Sequence, residues 1–270
     1  MSVFKRKCPE WLAGLLLGMI NVMFYAWASK PYTIFAGYQN WGQSIYSTLK
    51  LSQLSGLPEA FFLQEKTSVG IIGLLLGASI ASILANEFKI RLPASKTQVV
   101  EAIIGGVLMS VGVVLSRGCN WGGFFSAITA LSLHGFAMLL GLFLGGYLGL
   151  RYTAWKISLV TKKIEVSYPD NHKQLKSLTN ETLKLLVFTF EVAFIALVLT
   201  YYYTSAENGI FYTVILFFGF LVGVVIQRSR FCFTTAFRDL LYGPEFQRSI
   251  RIQKGIILGL IVSVTGTFVL

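Results

Sequence analysis

Residues 99–133 read VVEAIIGGVLMSVGVVLSRGCNWGGFFSAITALSL, and the reading of this stretch decides the fold. An apolar run from Val99 to Ser116 has the length of a membrane-crossing helix. It stops at Arg117-Gly118-Cys119-Asn120-Trp121-Gly122-Gly123, and a second apolar run, 124–133, follows. Ten residues rise only about 15 Å as a helix, half of a hydrocarbon core about 30 Å thick. The second run cannot cross a membrane, so the stretch describes a spanning helix, a break and a half-length helix.

The rest of the chain fits the same solvent. Of 270 residues, 54% are hydrophobic and 13% charged, with a mean hydropathy of +0.66; soluble domains carry about 25% charged residues. The net charge of +11 does not point to nucleic acid, because the basic residues form short clusters between apolar runs and not a stripe on one face. Such clusters are typical of cytoplasmic loops. Three cysteines, Cys8, Cys119 and Cys232, without a CxxC, exclude a disulfide framework and a thiolate zinc site. Two histidines, His134 and His172, are too few and too badly placed for a haem. No metal or cofactor is expected.

Spans are expected at about 11–28, 69–85, 99–116, 136–152, 183–203, 210–226 and 255–270. Half-helices are expected after Cys119 and after Cys232, the latter running to about Tyr242. The fold class is an all-α integral membrane protein with about seven spanning helices plus two short half-helices. The basic start, Lys5-Arg6-Lys7, and the Ala26-Trp27-Ala28 ending imitate a signal peptide, but the later spans favour a first transmembrane helix. Residues 30–68 are mixed and read as an interfacial segment or an extracytoplasmic loop. Gly105-Gly106 and Gly141/Gly145 are expected to be helix-packing contacts.

Placing the N-terminus, 87–98, 156–182 and 243–254 in the cytoplasm accounts for most Lys and Arg. The helix before Cys119 then enters from the cytoplasm and the helix before Cys232 from outside. The two helices share the pattern V-G-V-V-[LI]-x-R, as Val111 to Arg117 and Val222 to Arg228. Each is followed by a cysteine and a Phe-rich short helix. The expected organisation is a single transmembrane domain, 1–270. One repeat covers about 69–155, a second about 183–270, and 156–182 forms a cytoplasmic loop between them. Similar units of opposite orientation are the mark of inverted repeats, which build their substrate site at the repeat interface.

The chemistry at the breaks points to an anion. Arg117, Arg228 and Arg230 supply positive charge, costly in a membrane unless paired or facing a cavity. The N-termini of the half-helices aim free N–H groups at the same region. Gly118, Gly122 and Gly123 allow a tight turn and close approach to a ligand. A thiol, with its weak donor and polarizable sulfur, suits an anion that itself carries sulfur or selenium. Each feature also has a plainer reading: cysteine as packing, arginine snorkelling to headgroups. Glu191, inside a span, is either a proton relay or a hydrogen-bonded structural group. His134 reads as a cap, and Cys8 as a free thiol outside the path.

Arg117-Gly-Cys-Asn-Trp-Gly-Gly-Phe-Phe-Ser-Ala with Leu131-Ser-Leu-His134 resembles the GCN motif of the YeeE/YedE sulfur-transport family. Residues 227–239, QRSRFCFTTAFRD, resemble its second cysteine motif. With residues 86–93 ahead of them, the two look most like the YedE branch. The resemblance implies a multi-pass protein of a bacterial or archaeal cytoplasmic membrane. It also implies inverted repeats and a thiol-lined path that takes up thiosulfate or a related selenium species. By that resemblance Cys119 and Cys232, flanked by Arg117, Gly118, Asn120, Arg228 and Arg230, are the substrate-binding residues. Longer relatives continue to a Gly-Gly-Cys motif that supplies a third path cysteine, and this sequence reaches Leu270 without it. Partners expected on this reading are a small sulfur- or selenium-containing anion, the lipid bilayer, and a second subunit or a soluble sulfur-carrier protein. A membrane thiol or sulfur-transfer enzyme using the same cysteines, and a half that requires a partner subunit, are the alternatives.

Overall fold

The computed structural model describes residues 8–49, 65–89, 93, 96–164, 181–205, 209–241 and 246–270, and these contain helices and no strand. In chain order the helices are α1 (Glu10–Ala28), α2 (Phe35–Thr48), α3 (Lys66–Leu84) and α4 (Lys96–Leu115). A π-helical stretch (Asn120–Phe125) runs into α5 (Ser126–Thr129). Then follow α6 (Leu133–Ile164), α7 (Glu181–Ser205), α8 (Gly209–Ser229), α9 (Phe233–Leu241) and α10 (Phe246–Val269). Among the described residues, seven helices are long and apolar enough to cross a membrane, as the hydropathy pattern predicts.

Four of these helices form the centre, and glycines set their spacing. In lipid no hydrophobic force drives helices together, so association depends on close backbone packing across small residues. Gly14 and Gly18 of α1 face Gly255 and Gly259 of α10; a Cβ on Gly14 would stand 1.9 Å from the Gly255 carbonyl oxygen. Because Gly14 meets Gly255, Gly18 meets Gly259 and Val22 meets Gly266, α1 and α10 run parallel. Gly70 meets Gly219, and Leu74 meets Gly223, so α3 and α8 form a second parallel pair. The two pairs run oppositely: Phe24 packs on Phe218, Trp27 on Phe211, and the Cys8 N–H donates to the Arg228 carbonyl at 3.3 Å.

The packing glycines are therefore not the expected ones. A Cβ on Gly105, Gly106, Gly141 or Gly145 would meet nothing within 4 Å. Helix α4 has no buried residue and is tied to α6 at one end, where Lys156 Nζ lies 2.5 Å from Glu101 Oε2 and the Tyr152 hydroxyl donates to Glu101 Oε1 at 3.3 Å.

Several boundaries move. Residues 35–48, read as part of a mixed segment, form the helix α2, which packs on α3. Helix α6 runs through Lys156 to Ile164, so the expected loop 156–182 starts as helix, and its residues 165–180 lie outside the described residues. The basic stretch with Arg248, Arg251 and Lys254 is the first part of α10 and not a loop; a helix tolerates these long charged side chains at its polar end, where Arg251 Nε reaches Glu10 Oε2 at 3.5 Å. His172 and residues 90–92 and 206–208 also lie outside the described residues.

Candidate functional site: two cysteine-capped breaks

Both breaks are made in the same way. Helix α4 ends with Arg117 in the left-handed region (φ 49°), and α8 ends with Arg230 in the same region (φ 52°). Two residues on stand Cys119 and Cys232. Each cysteine carbonyl accepts the first hydrogen bond of the next helix, from Gly123 N–H at 2.6 Å and from Ala236 N–H at 3.1 Å. Each cysteine is thus the residue at which a short helix begins. By backbone conformation Arg117 corresponds to Arg230, whereas the sequence pattern pairs it with Arg228; the second helix runs two residues longer before it breaks.

Glycine makes the first break feasible. A Cβ on Gly118 would lie 2.4 Å from the Gly123 nitrogen, and one on Gly122 would lie 2.5 Å from Thr33 Oγ1. These glycines are pressed against protein, so their close approach serves the turn and not an open ligand space. The break is further held by a buried network around Asn21. The Asn21 amide donates to Ser263 Oγ at 2.7 Å and to Thr129 Oγ1 at 3.4 Å, and its oxygen accepts from the Tyr32 N–H at 3.2 Å. Ser126 Oγ donates to the Tyr32 carbonyl at 2.8 Å. In an apolar interior such groups need partners, and here they fix the short α5 between α1 and α10. The lone Asn21 in an otherwise apolar run was the only sequence signal for this network.

The breaks meet each other. Asn120, next to Cys119, donates from Nδ2 to Thr234 Oγ1, two residues after Cys232, at 2.8 Å. Around this contact Phe124 packs edge-to-face on Phe233 and Phe237, and Trp121 packs edge-to-face on Phe233. Phe124 and Phe125 are 1% exposed, so the two short helices sit inside the helical core. Cys119 is half-buried and Cys232 is exposed. The buried Trp121 indole N–H has no hydrogen-bond partner among the described residues.

The predicted arginines divide. Arg117 is exposed, without an acidic partner among the described residues. Arg228 is buried, 3.7 Å from Glu87 Oε2, and the exposed Arg230 lies 3.4 Å from the same oxygen. Two guanidiniums thus share one carboxylate that follows the end of α3. Glu87 was not among the predicted site residues, since nothing local in sequence links it to Arg228. The Cys8 backbone joins this end of the molecule through Arg228, and Cys8 itself is partly buried. Burial pushes the Cys8 thiol above its ordinary pKa, with the Arg228 charge opposing. His134 lies in the first turn of α6, with Nδ1 2.6 Å from Ser132 Oγ.

A cavity of about 1090 Å³ between α4 and α6 leads to the meeting point. Its walls include Gly105 and Gly112 on α4 and Gly141 and Gly145 on α6, and it ends on Ser116, Asn120 and Thr234. The glycines that pack nothing line this space.

Comparison with known proteins gives the following. A family model described as "Sulphur transport" matches residues 1–148. Over 269 residues the chain is 27% identical to "Probable transporter YedE" of Salmonella typhimurium and 28% identical to that of Escherichia coli strain K12. Each alignment covers 95% of this chain and 63% of the relative, so the chain spans less than two thirds of the length of these curated relatives. A stretch of 77 residues, 28% of this chain and 23% of the relative, is 36% identical to "Thiosulfate transporter TsuA" of Spirochaeta thermophila. No solved structure matches.

Proposed function

This chain belongs to the Sulphur transport family, and from that membership we propose that it takes up a sulfur-containing anion such as thiosulfate, or a related selenium species, across a cytoplasmic membrane. The observation that carries the reading is the convergence of the two breaks, with Asn120 bonded to Thr234 and a cysteine at the start of each short helix.

The anion approaches along the space between α4 and α6 and meets side chains that donate without claiming a charge. Asn120 Nδ2 and Thr234 Oγ1 form its polar end, and the unpartnered Trp121 indole N–H is a further donor in the same break. A polarizable thiol on each side gives weak, reversible hydrogen bonds, which suit a path that must release what it binds. Arg117 on one side and Arg228 and Arg230, which share Glu87, on the other favour an anion over a cation. In this account Cys119, Cys232 and Asn120 contact the substrate. Gly118 positions the turn, and Arg117, Arg228 and Arg230 supply field. The two break-bearing halves form an inverted repeat, and the basic ends face the cytoplasm. A second subunit or a soluble sulfur carrier receives the anion.

Radiolabelled thiosulfate uptake by a transport-deficient host expressing the chain tests this. Uptake above the empty host, lost in Cys119→Ala and in Cys232→Ala with protein levels unchanged, is expected. Equal uptake by all three proteins would remove the thiol path.

A further inference from the structure

Away from the breaks, one ionisable side chain is placed where membrane proteins rarely leave one. Glu191 lies in the middle of α7, inside a stretch apolar enough to cross a membrane. It is 8% exposed. Its carboxyl group is hydrogen-bonded to the Ser79 side chain of α3, while Oε2 is buried with no partner among the described residues. The residue forms part of the wall of a cavity of about 940 Å³, whose other walls are almost wholly apolar, among them Leu75, Leu186, Phe190 and Phe194.

An ionised carboxylate with an unsatisfied oxygen in such surroundings is costly, and intramembrane acids are retained where they bind something. A metal cation of the hard type needs about six oxygen ligands. Here one carboxylate and one serine hydroxyl are at hand, because Thr189 in the cavity wall already donates to the Leu185 and Leu186 carbonyls. A proton needs only the one free oxygen.

We propose that Glu191 is a proton-binding site, loaded at Oε2 from the cavity between α3 and α7. Among the described residues, no other in that cavity wall is ionisable. On the elements packed around it, Lys66 begins α3 with its ammonium over the Phe211 ring, and Tyr38 lies on α2. Tyr212 and Arg228 stand toward the two ends of α8, and on α7 itself Lys184 is bonded to Asn86. Helix α7 packs on α3 and α8, and α8 runs directly into the Cys232 break. Resting on the transporter reading, the bound proton is also the coupling ion: an anion entering a negative-inside cell moves against the membrane potential, and a proton carried with it cancels one of the anion's negative charges and lowers that cost.

The test uses the full chain in liposomes and dicyclohexylcarbodiimide, which modifies protonated carboxyls in apolar surroundings, with the modified peptide identified by mass spectrometry. Labelling of Glu191 that declines as pH rises is expected, with none at that peptide in Glu191→Gln and retention in Glu191→Asp. Absence of labelling at Glu191 throughout the acid and neutral range overturns the proton site. Thiosulfate uptake driven by an inward proton gradient is measured alongside and is expected to lose its gradient dependence in Glu191→Gln. Gradient dependence that persists in Glu191→Gln overturns the coupling role. Labelled Glu191 in a protein that takes up no thiosulfate supports the proton site and contradicts the transporter reading alone.

Discussion

At the scale of single residues, the breaks depend on what fits beside a turning backbone. Gly118 admits no side chain, since a Cβ would lie 2.4 Å from backbone that cannot move without unwinding the π-helical stretch. Gly118→Ala should destabilise the protein by about 1–3 kcal/mol, the usual cost of overpacking, seen as a lower melting temperature in detergent. Cys8 provides a pH prediction. Burial raises its pKa, so at neutral pH it stays a thiol and reacts slowly with maleimide. Its rate should climb only at alkaline pH, and Arg228→Gln, by removing the opposing charge, should slow it further at a given pH. A rate equal to that of a free cysteine would contradict the burial. The cysteines, Arg117 and Asn120 were legible as a motif. The pairing of Arg228 and Arg230 with Glu87, and the network around Asn21, were not, because each joins residues from distant parts of the chain and only folding brings them together.

At the scale of elements, two kinds of glycine look alike in sequence and differ in role. Gly14-x-x-x-Gly18 and Gly141-x-x-x-Gly145 show the same spacing, yet the first pair touches α10 and the second lines open space. Gly14→Val should separate α1 from α10 and cost several kcal/mol, as overpacking between backbones allows no rotamer escape; size-exclusion profiles of detergent-solubilised protein would show aggregation. Gly141→Val should leave the profile unchanged. Hydropathy recovered the seven long helices because composition alone decides them. It misplaced the start of α10 and the end of α6 because charged residues at a helix end resemble a loop when only polarity is read. Helix α2 escaped for a similar reason: its apolar and polar residues alternate around a short helix that is only partly covered.

At the scale of the whole molecule, two antiparallel pairs of parallel helices hold two short helices against one another. This arrangement brings together the breaks that carry Cys119 and Cys232, 113 residues apart in sequence, through the Asn120–Thr234 bond and the aromatic contacts of Trp121 and Phe124 with Phe233. The basic clusters predict one topology: tags at the N-terminus and in 165–180 should be protected from external protease in intact cells and digested after permeabilisation. Digestion in intact cells would reverse the orientation and with it the direction assigned to the path. Sequence supplied the class and the motif, and the sequence pattern suggested the paired breaks, but their contact through Asn120 and Thr234 is a tertiary fact with no local signal. The central claim is that the thiols of both breaks face one anion. It is tested most directly by alkylating the native cysteines in membranes with and without thiosulfate and quantifying each site by mass spectrometry. The account predicts that thiosulfate slows modification of Cys119 and Cys232 together and leaves Cys8 unaffected. Unchanged rates at both, or equal slowing at all three, would contradict it.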